Sequence, residues 1–157
     1  MKTLLLSSFL AVAATLAKAI NVRVGHSPWA PGPINDYAYA QVVMYVYGDD
    51  WKVKAGGRVS GSIFRFKTNK VSEHWRFCIK NAPNEELQGG CPVQASFADY
   101  ELRVVKDDGG EYGNLLLESW HTHNGQHLER SGWCGRLSQE VYEAGNRMLW
   151  QCSFPGY

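Results

Sequence analysis

The chain has 157 residues, with 16 Lys and Arg against 15 Asp and Glu, and no basic run concentrates the positive charges. Because nucleic-acid binding needs a localised excess of basic side chains, this balance argues against nucleic acid as a partner. Beyond the first nineteen residues no apolar stretch approaches the length of a membrane span, so we also expect no membrane insertion.

The first nineteen residues have the features of a secretory signal peptide. Lys2 gives a positive start, residues 4–16 are apolar or small, and Ala17-Lys18-Ala19 has the small-x-small form of a cleavage site. We predict a signal peptide over 1–19 and a single secreted, extracellular domain over 20–157. That domain has 157 − 19 = 138 residues and, without two lysines, 14 basic against 15 acidic side chains.

The next segment, residues 26–33, is rich in proline and reads HSPWAPGP. Proline lacks a backbone N–H and fixes φ, so we expect a stiff, irregular segment rather than a regular strand or helix. Two interpretations remain open at this point. The segment is either a strap over the edge of a barrel or an exposed recognition loop.

Alternating patterns predict a series of short strands further along the chain. They cover 37–47, 58–67 with Gly61 as a candidate bulge, 74–80, 97–106, 114–121 and 147–154. Residues 48–50 and the pair Gly56-Gly57 are expected to be breaks, and residues 107–110 (DDGG) predict a hairpin. Ser138 as N-cap and Gly145 as stop predict one short helix over 138–144. The predicted fold is all-β, a compact barrel or sandwich of seven or eight antiparallel strands.

The four cysteines are Cys78, Cys91, Cys134 and Cys152. Secretion places them in an oxidising compartment, and their spacing does not match zinc-binding pairs, so we expect two disulfides. Four cysteines permit three pairings, which sequence alone does not separate. Joining Cys78 to Cys91 and Cys134 to Cys152 closes the shortest loops and costs the least loop entropy.

Three histidines, His121, His123 and His127, lie close together near the end of a predicted strand. Two histidines at i and i+2 with a later histidine are able to chelate a divalent metal on a β-scaffold. The Asn124-Gly125 pair between them is more typical of a surface hairpin tip. We therefore predict no metal and no cofactor, and keep these three residues as the metal-binding alternative.

A ribonuclease is the other catalytic alternative. Cleavage of a phosphodiester needs a base, an acid and a cation around the scissile phosphate. The side chains that could supply them are His74, Arg76, Glu101, Arg103 and His121. The same residues would equally form the solvated faces of strands, and the sequence holds no GxSxG nucleophile motif. We therefore expect a protein without catalytic residues.

The chain has six Trp and eight Tyr, more than a barrel of this size needs to fill its core. Trp29 in the proline-rich segment and Trp51 after the turn at 48–50 are the hardest to bury. Exposed aromatic side chains on the loops of a rigid scaffold are good anchors for a partner. The predicted partner-binding residues are Trp29, Pro31, Pro33, Trp51, Asp107 and Asp108.

A signal sequence ending Ala17-Lys18-Ala19, a 138-residue β-rich body and two cysteine pairs resemble the secreted hypersensitive-response-inducing protein elicitors of plant-pathogenic fungi, of the rice-blast type. The cysteine order also resembles that of the Alternaria major-allergen family of β-barrels, which have two intrachain disulfides. The resemblance covers the whole chain and rests on length and general character.

The resemblance implies an extracellular, non-enzymatic protein that plant cells perceive and that triggers cell death and defence responses. Its partner would be a plant cell-surface or apoplastic protein, bound by a monomer through exposed loops. Inhibition of an apoplastic protease by the loop between Cys78 and Cys91 is the alternative binding function. A small metal-dependent enzyme or ribonuclease is the catalytic alternative.

Overall fold

The computed structural model describes residues 19–31, 37–60, 62–67, 76–79, 93–97, 99–107, 115–123 and 126–155. The predicted signal peptide therefore lies outside the described residues except for Ala19. Within these ranges the chain forms β-strands, turns and short connections, and no helix long and apolar enough to cross a membrane is present among them.

The strands in chain order are β1 (Ile20–His26), β2 (Ala30–Pro31), β3 (Tyr37–Ala40), β4 (Val42–Tyr47), β5 (Val53–Arg58), β6 (Ser62–Lys67), β7 (Arg76–Ile79), β8 (Val93–Phe97), β9 (Tyr100–Asp107), β10 (Leu115–His123), β11 (Gln126–Glu143) and β12 (Asn146–Phe154). Eight of them form one antiparallel sheet in the order β5-β4-β1-β12-β11-β10-β9-β8. Its two edge strands approach each other, since a Cβ on Gly57 of β5 would lie 4.0 Å from Cε1 of Phe97 on β8. The sheet is therefore a nearly closed barrel, which confirms the all-β prediction.

A second, four-stranded antiparallel sheet has the order β2-β3-β6-β7. The predicted strand over 37–47 divides between the two sheets at Gln41. There the Ser27 N–H donates to the Gln41 carbonyl at 2.9 Å, and the Gln41 N–H donates to Ser27 Oγ at 3.0 Å. These bonds satisfy the backbone where the chain leaves one sheet and enters the other.

Strand β4 is buried at every position, because both of its faces are covered. Val42, Met44 and Val46 point into the barrel, where they join the main apolar cluster. Val43, Tyr45 and Tyr47 point outward and pack with Met148, Leu137 and Val141 in a second cluster. Fully burying a side chain of this size contributes about 1.5–3 kcal/mol. The period-two pattern of the sequence thus marks a central strand, as expected for a segment that is apolar on both faces.

A disulfide joins Cys134 on β11 to Cys152 on β12, with Cα atoms 4.3 Å apart, so this predicted pair is confirmed. Both cysteines are buried in the main cluster. The other predicted bridge is not seen: Cys78 belongs to β7, its side chain is not described, and Cys91 lies outside the described residues.

The predicted helix over 138–144 is wrong, because residues 138–143 belong to strand β11. Arg136 pairs with Trp150 and Val141 pairs with Met148. The four residues 137–140 of β11 therefore bulge out opposite the single residue Leu149. The bulge packs Leu137 and Val141 against the outer cluster. Their i, i+4 spacing, which resembles one face of a helix, is therefore satisfied by a bulged strand.

The break predicted at Gly56 and Gly57 is wrong, because both residues belong to strand β5. Gly56 has φ +140°, and a Cβ there would lie 2.4 Å from the carbonyl oxygen of Met44. Only glycine allows this close approach of β5 to β4. Gly56 therefore does not end a strand but is required for β5 to pair with β4.

Candidate binding surface

Trp51 lies in the turn that joins β4 to β5. Its N–H donates to the Gly48 carbonyl at 3.0 Å, and the Gly48 N–H donates to the Lys52 carbonyl at 3.0 Å. The turn holds Trp51 at φ +56°, a conformation that bulky L-residues rarely adopt. The side chain nevertheless remains 37% exposed. The turn therefore stores backbone strain while presenting an aromatic ring at the surface.

The guanidinium of Arg23 fixes the orientation of this ring. Its central carbon lies 4.5 Å from the ring centroid of Trp51 and 5.0 Å from that of Tyr47. Arg23 Nε also donates to Gln151 Oε1 at 3.0 Å. A cation–π contact of this kind contributes about 0.5–1 kcal/mol at an exposed site. These three contacts hold the Arg23 guanidinium in one place, and the guanidinium in turn packs against the inner side of the Trp51 ring.

Tyr47 connects this stack to the hairpin of β11 and β12. Its ring centroid is 5.6 Å from that of Trp51, and its hydroxyl donates to Glu143 Oε2 at 3.2 Å. Burial, followed by the negative charge of Glu143, raises the pKa of Tyr47 to about 12. The phenol is therefore protonated at neutral pH and remains a hydrogen-bond donor. We call Arg23, Tyr47, Trp51, Glu143 and Gln151 the Trp51 surface.

The expectation of an irregular proline-rich segment is partly wrong, because His26 ends β1 and residues 30–31 pair as a strand. Ala30 and Pro31 form the short strand β2, which pairs with β3 at the edge of the four-stranded sheet. Trp29, just before this strand, is 54% exposed. The segment is thus a strap over a sheet edge that also presents an aromatic side chain. Pro33 lies outside the described residues, and the side chain of Pro31 is not described.

The predicted hairpin tip after β9 is described only up to its first residue. Asp107 ends β9, its side chain is not described, and Asp108 lies outside the described residues. Strands β9 and β10 pair antiparallel, with Asp107 opposite Leu115, as the predicted hairpin requires.

The histidine alternative receives no support from the described residues. His121 belongs to β10 and packs its ring 4.9 Å from that of Tyr100, which contacts the main apolar cluster. The backbone register pairs His127 with Thr122, so position 127 lies on the opposite face of the hairpin from positions 121 and 123. Among the described side chains no group of three His, Cys, Asp or Glu could hold a metal ion. The side chains of His123 and His127 are not described.

The residues suggested for a ribonuclease do not converge where they are described. Glu101 and Arg103 flank the buried Leu102 and so lie on the outer face of β9, whereas His121 faces the interior side with Tyr100. Arg103 forms an ion pair with Glu118 on that outer face, and its guanidinium lies 5.2 Å from the Trp120 ring centroid. The sheet thus separates Arg103 from His121, so these two side chains do not face one phosphate. His74 lies outside the described residues, and the side chain of Arg76 is not described.

Trp51 is evident in the sequence, whereas the residues that contact its ring are not. Arg23 and Gln151 are 128 positions apart in the chain and meet because β1 and β12 are neighbours with Arg23 opposite Gln151. The alternation of Asn21 and Arg23 with the apolar residues of β1 could have indicated an outward-facing arginine. Its partner depends on strand order, which no local pattern encodes.

The chain was compared with family models, with curated proteins and with solved structures, and none of them matches it.

Proposed function

We propose that the protein is a secreted fungal effector that plant cells perceive through the Trp51 surface. Perception triggers hypersensitive cell death and defence responses, and the protein acts by binding rather than by catalysis. The observation that carries this proposal is a strained, exposed Trp51 whose ring is held in place by Arg23.

The backbone conformation of the turn does not favour tryptophan at this position. A positive φ costs a non-glycine residue of order 1–2 kcal/mol, and Asn or Gly would avoid most of that cost. Exposed aromatic side chains in a fixed orientation are the residues that most often contribute large binding energies at protein interfaces. The combination of strain, exposure and support therefore favours a role in recognition.

The proposed partner is a plant cell-surface or apoplastic protein, contacted by a monomer outside the cell. The exposed Trp29 is the second anchor in this proposal, because it lies on a strap held by β2 and by the hydrogen bonds of Ser27. Neither anchor requires a cofactor.

The test is infiltration of purified, oxidised protein (20–157) into leaves, with a boiled-and-reduced sample as inactive control. Trp51→Asn is the decisive variant, because asparagine tolerates a positive φ and removes the aromatic ring. We expect it to keep the melting temperature of the parent and to lose cell-death activity. Tyr142→Ala is the matched control, since Tyr142 is 58% exposed and lies outside the Trp51 surface.

Full cell-death activity of Trp51→Asn at the dose that suffices for the parent would contradict the proposal. A parallel Trp29→Ala variant shows whether the strap contributes to the same contact. Activity that survives boiling and reduction would exclude any folded binding surface.

A further inference from the structure

His26 lies where the chain passes from the barrel to the four-stranded sheet. It is the last residue of β1, is only 4% exposed, and pairs with Val42 on β4 and with Arg147 on β12. The next residue, Ser27, is bonded through its N–H and its hydroxyl oxygen to the backbone of Gln41, where β3 gives way to β4. We call His26, Ser27 and Gln41 the joint.

The imidazole of His26 is bonded directly to the joint. Its Nδ1 lies 2.6 Å from the carbonyl oxygen of Ser27. Because a carbonyl oxygen only accepts, Nδ1 carries a hydrogen and donates it, and in the neutral ring the other nitrogen, Nε2, carries none. An added proton would therefore go to Nε2, which is buried. Protonation of His26 thus places a positive charge inside the protein, at the joint.

Two arginines lie on the barrel side of this position. Arg147 is opposite His26 on β12, and Arg136 is one strand further, on β11, where its guanidinium carbon lies 4.9 Å from the ring centroid of Trp150. The carboxylate of Glu140 is 3.4 Å from Arg147 Nη2, so it faces that arginine. The remaining described titratable side chains nearby in the register are Tyr142 and Glu143 on β11, Arg58 on β5 and Tyr39 on β3.

These surroundings oppose protonation of His26. Burial lowers the pKa of its imidazole below the ordinary value of 6.5, the bond to the Ser27 carbonyl acts in the opposite direction, and the positive charges of Arg147 and Arg136 lower it further. An opened segment therefore binds the proton more readily than the closed joint does. The stability of the closed joint is present above pH 6.5 and declines as the pH falls below that value.

The strap over residues 27–31 is the part that can separate at the lowest cost. Pro28, Trp29 and Ala30 are exposed, and β2 has only two residues to pair with β3. Strand β1, in contrast, is buried at almost every position and pairs with β4 on one side and β12 on the other. Local opening occurs where few buried contacts hold a segment, so a charge on His26 should open the strap while the barrel stays closed.

We propose that the joint is a pH-sensitive switch: when His26 takes up a proton from solvent, the bonds between Ser27 and Gln41 break and the strap carrying Trp29 separates from β3. The neutral joint holds the exposed Trp29 in a fixed position, and the protonated joint releases it. This switch goes beyond the proposed perception by plant cells. It is a property of the fold, so the purified protein alone suffices to test it.

The experiment is native-state hydrogen exchange, followed by NMR on the folded protein (20–157) at pH 7 and pH 5, with each rate corrected for the intrinsic pH dependence of exchange. We expect the protection of the Ser27 and Gln41 amides to fall about tenfold at pH 5, because each unit by which a pKa is lowered corresponds to a factor of ten. Amides in the middle of β1 and β12 should keep their protection.

His26→Gln is the decisive variant, because glutamine keeps an N–H donor for the Ser27 carbonyl and does not titrate. It should show no loss of protection between pH 7 and pH 5. His121→Gln is the matched control, since it removes an imidazole from β10, which is a neighbour of neither β1 nor β4 in the sheet. We expect this control to lose protection at the joint as the parent does.

A second measurement needs no variant. In the parent, the imidazole resonances of His26 should change over the same pH range as the protection of the Ser27 amide. Proton uptake by His26 centred at or above pH 6.5 would overturn the switch, and so would unchanged protection in the parent or an equal loss in His26→Gln. Equal loss throughout β1 and β12 would also overturn it, because acid would then unfold the barrel as a whole.

Discussion

The inner and outer faces of strands β1, β4 and β12 differ in the interactions that their side chains make and in whether those side chains are available to a partner. The inner face of β4 and β1 consists of aliphatic side chains, such as Val22, Val24 and Val46, that are at most 1% exposed. The outer face of the same strands carries Arg23, Tyr47 and Gln151, which interact through hydrogen bonds and a cation–π stack. The inner face stabilises the barrel by burial alone, whereas the outer face combines a smaller buried cluster around Tyr47 with polar side chains that are held in defined positions.

This difference separates stability from recognition within single strands. The free energy of burial is proportional to apolar area and does not depend on direction, so the inner face tolerates apolar residues of similar volume. Hydrogen bonds and ring stacking depend on direction, so the outer face needs particular side chains at particular positions. Substitutions on the two faces should therefore give opposite patterns in stability and in binding assays.

The largest expected effect belongs to the inner face. Trp150 is fully buried, so Trp150→Ala should lower the free energy of unfolding by about 3–5 kcal/mol. Urea denaturation followed by circular dichroism measures this loss. The fraction of the variant that remains folded should keep its binding properties. A loss below about 1 kcal/mol would show that the inner face does not carry the stability.

A smaller effect is expected on the outer face, where alkali should weaken the contact between Tyr47 and Glu143. Folding raises the pKa of Tyr47 from its ordinary value of 10.0 to about 12, so the unfolded chain loses this proton first. Stability from Tyr47 is therefore complete below pH 10 and declines as pH rises from 10 to 12, by up to roughly 2–3 kcal/mol.

Denaturation of the parent and of Tyr47→Phe at pH 8, 10 and 11 checks this expectation. Phenylalanine does not titrate, so the variant should lose less stability across the series than the parent, while the other tyrosines affect both proteins alike. Parallel curves for the two proteins would mean that Tyr47 ionises as it does in the unfolded chain.

The smallest expected effect concerns a turn that belongs to neither face. Ala144 and Gly145 join β11 to β12 with φ of +47° and +78°, the pattern of a hairpin turn that favours Asn-Gly. Ala144→Asn should raise the free energy of unfolding by about 1 kcal/mol, because asparagine tolerates this region better than alanine. Gly145→Ala, which meets open space but keeps the positive φ, should lower it by a similar amount. Thermal denaturation of both variants would reveal the opposite signs, and a stabilising Gly145→Ala would contradict the strain argument.

Several features of the fold and of the site could be predicted from local sequence. The alternation over 42–47 correctly indicated a strand covered on both faces, and the short loop between Cys134 and Cys152 indicated the observed disulfide. Trp51, which follows a turn and is therefore difficult to bury, is partly exposed in the structure.

Other features escaped prediction because local and tertiary preferences disagree. Residues 138–143 have the composition of a helix, but pairing with β12 and packing of Leu137 and Val141 on the outer cluster outweigh the modest helical propensity. The glycines of β5 indicated a break, although the approach of Gly56 to β4 is what requires them.

The sequence by itself determined which residues could be inside, because period-two alternation is a property of the strand and needs no knowledge of its neighbours. Only the tertiary structure decided which outward residues meet. Arg23, Trp51 and Gln151 come together because β1 lies between β4 and β12, and that order results from the simultaneous burial of many side chains distant in sequence. Such cooperative, long-range pairing leaves no local signal in the chain, so the binding surface became visible only after the strands were in place.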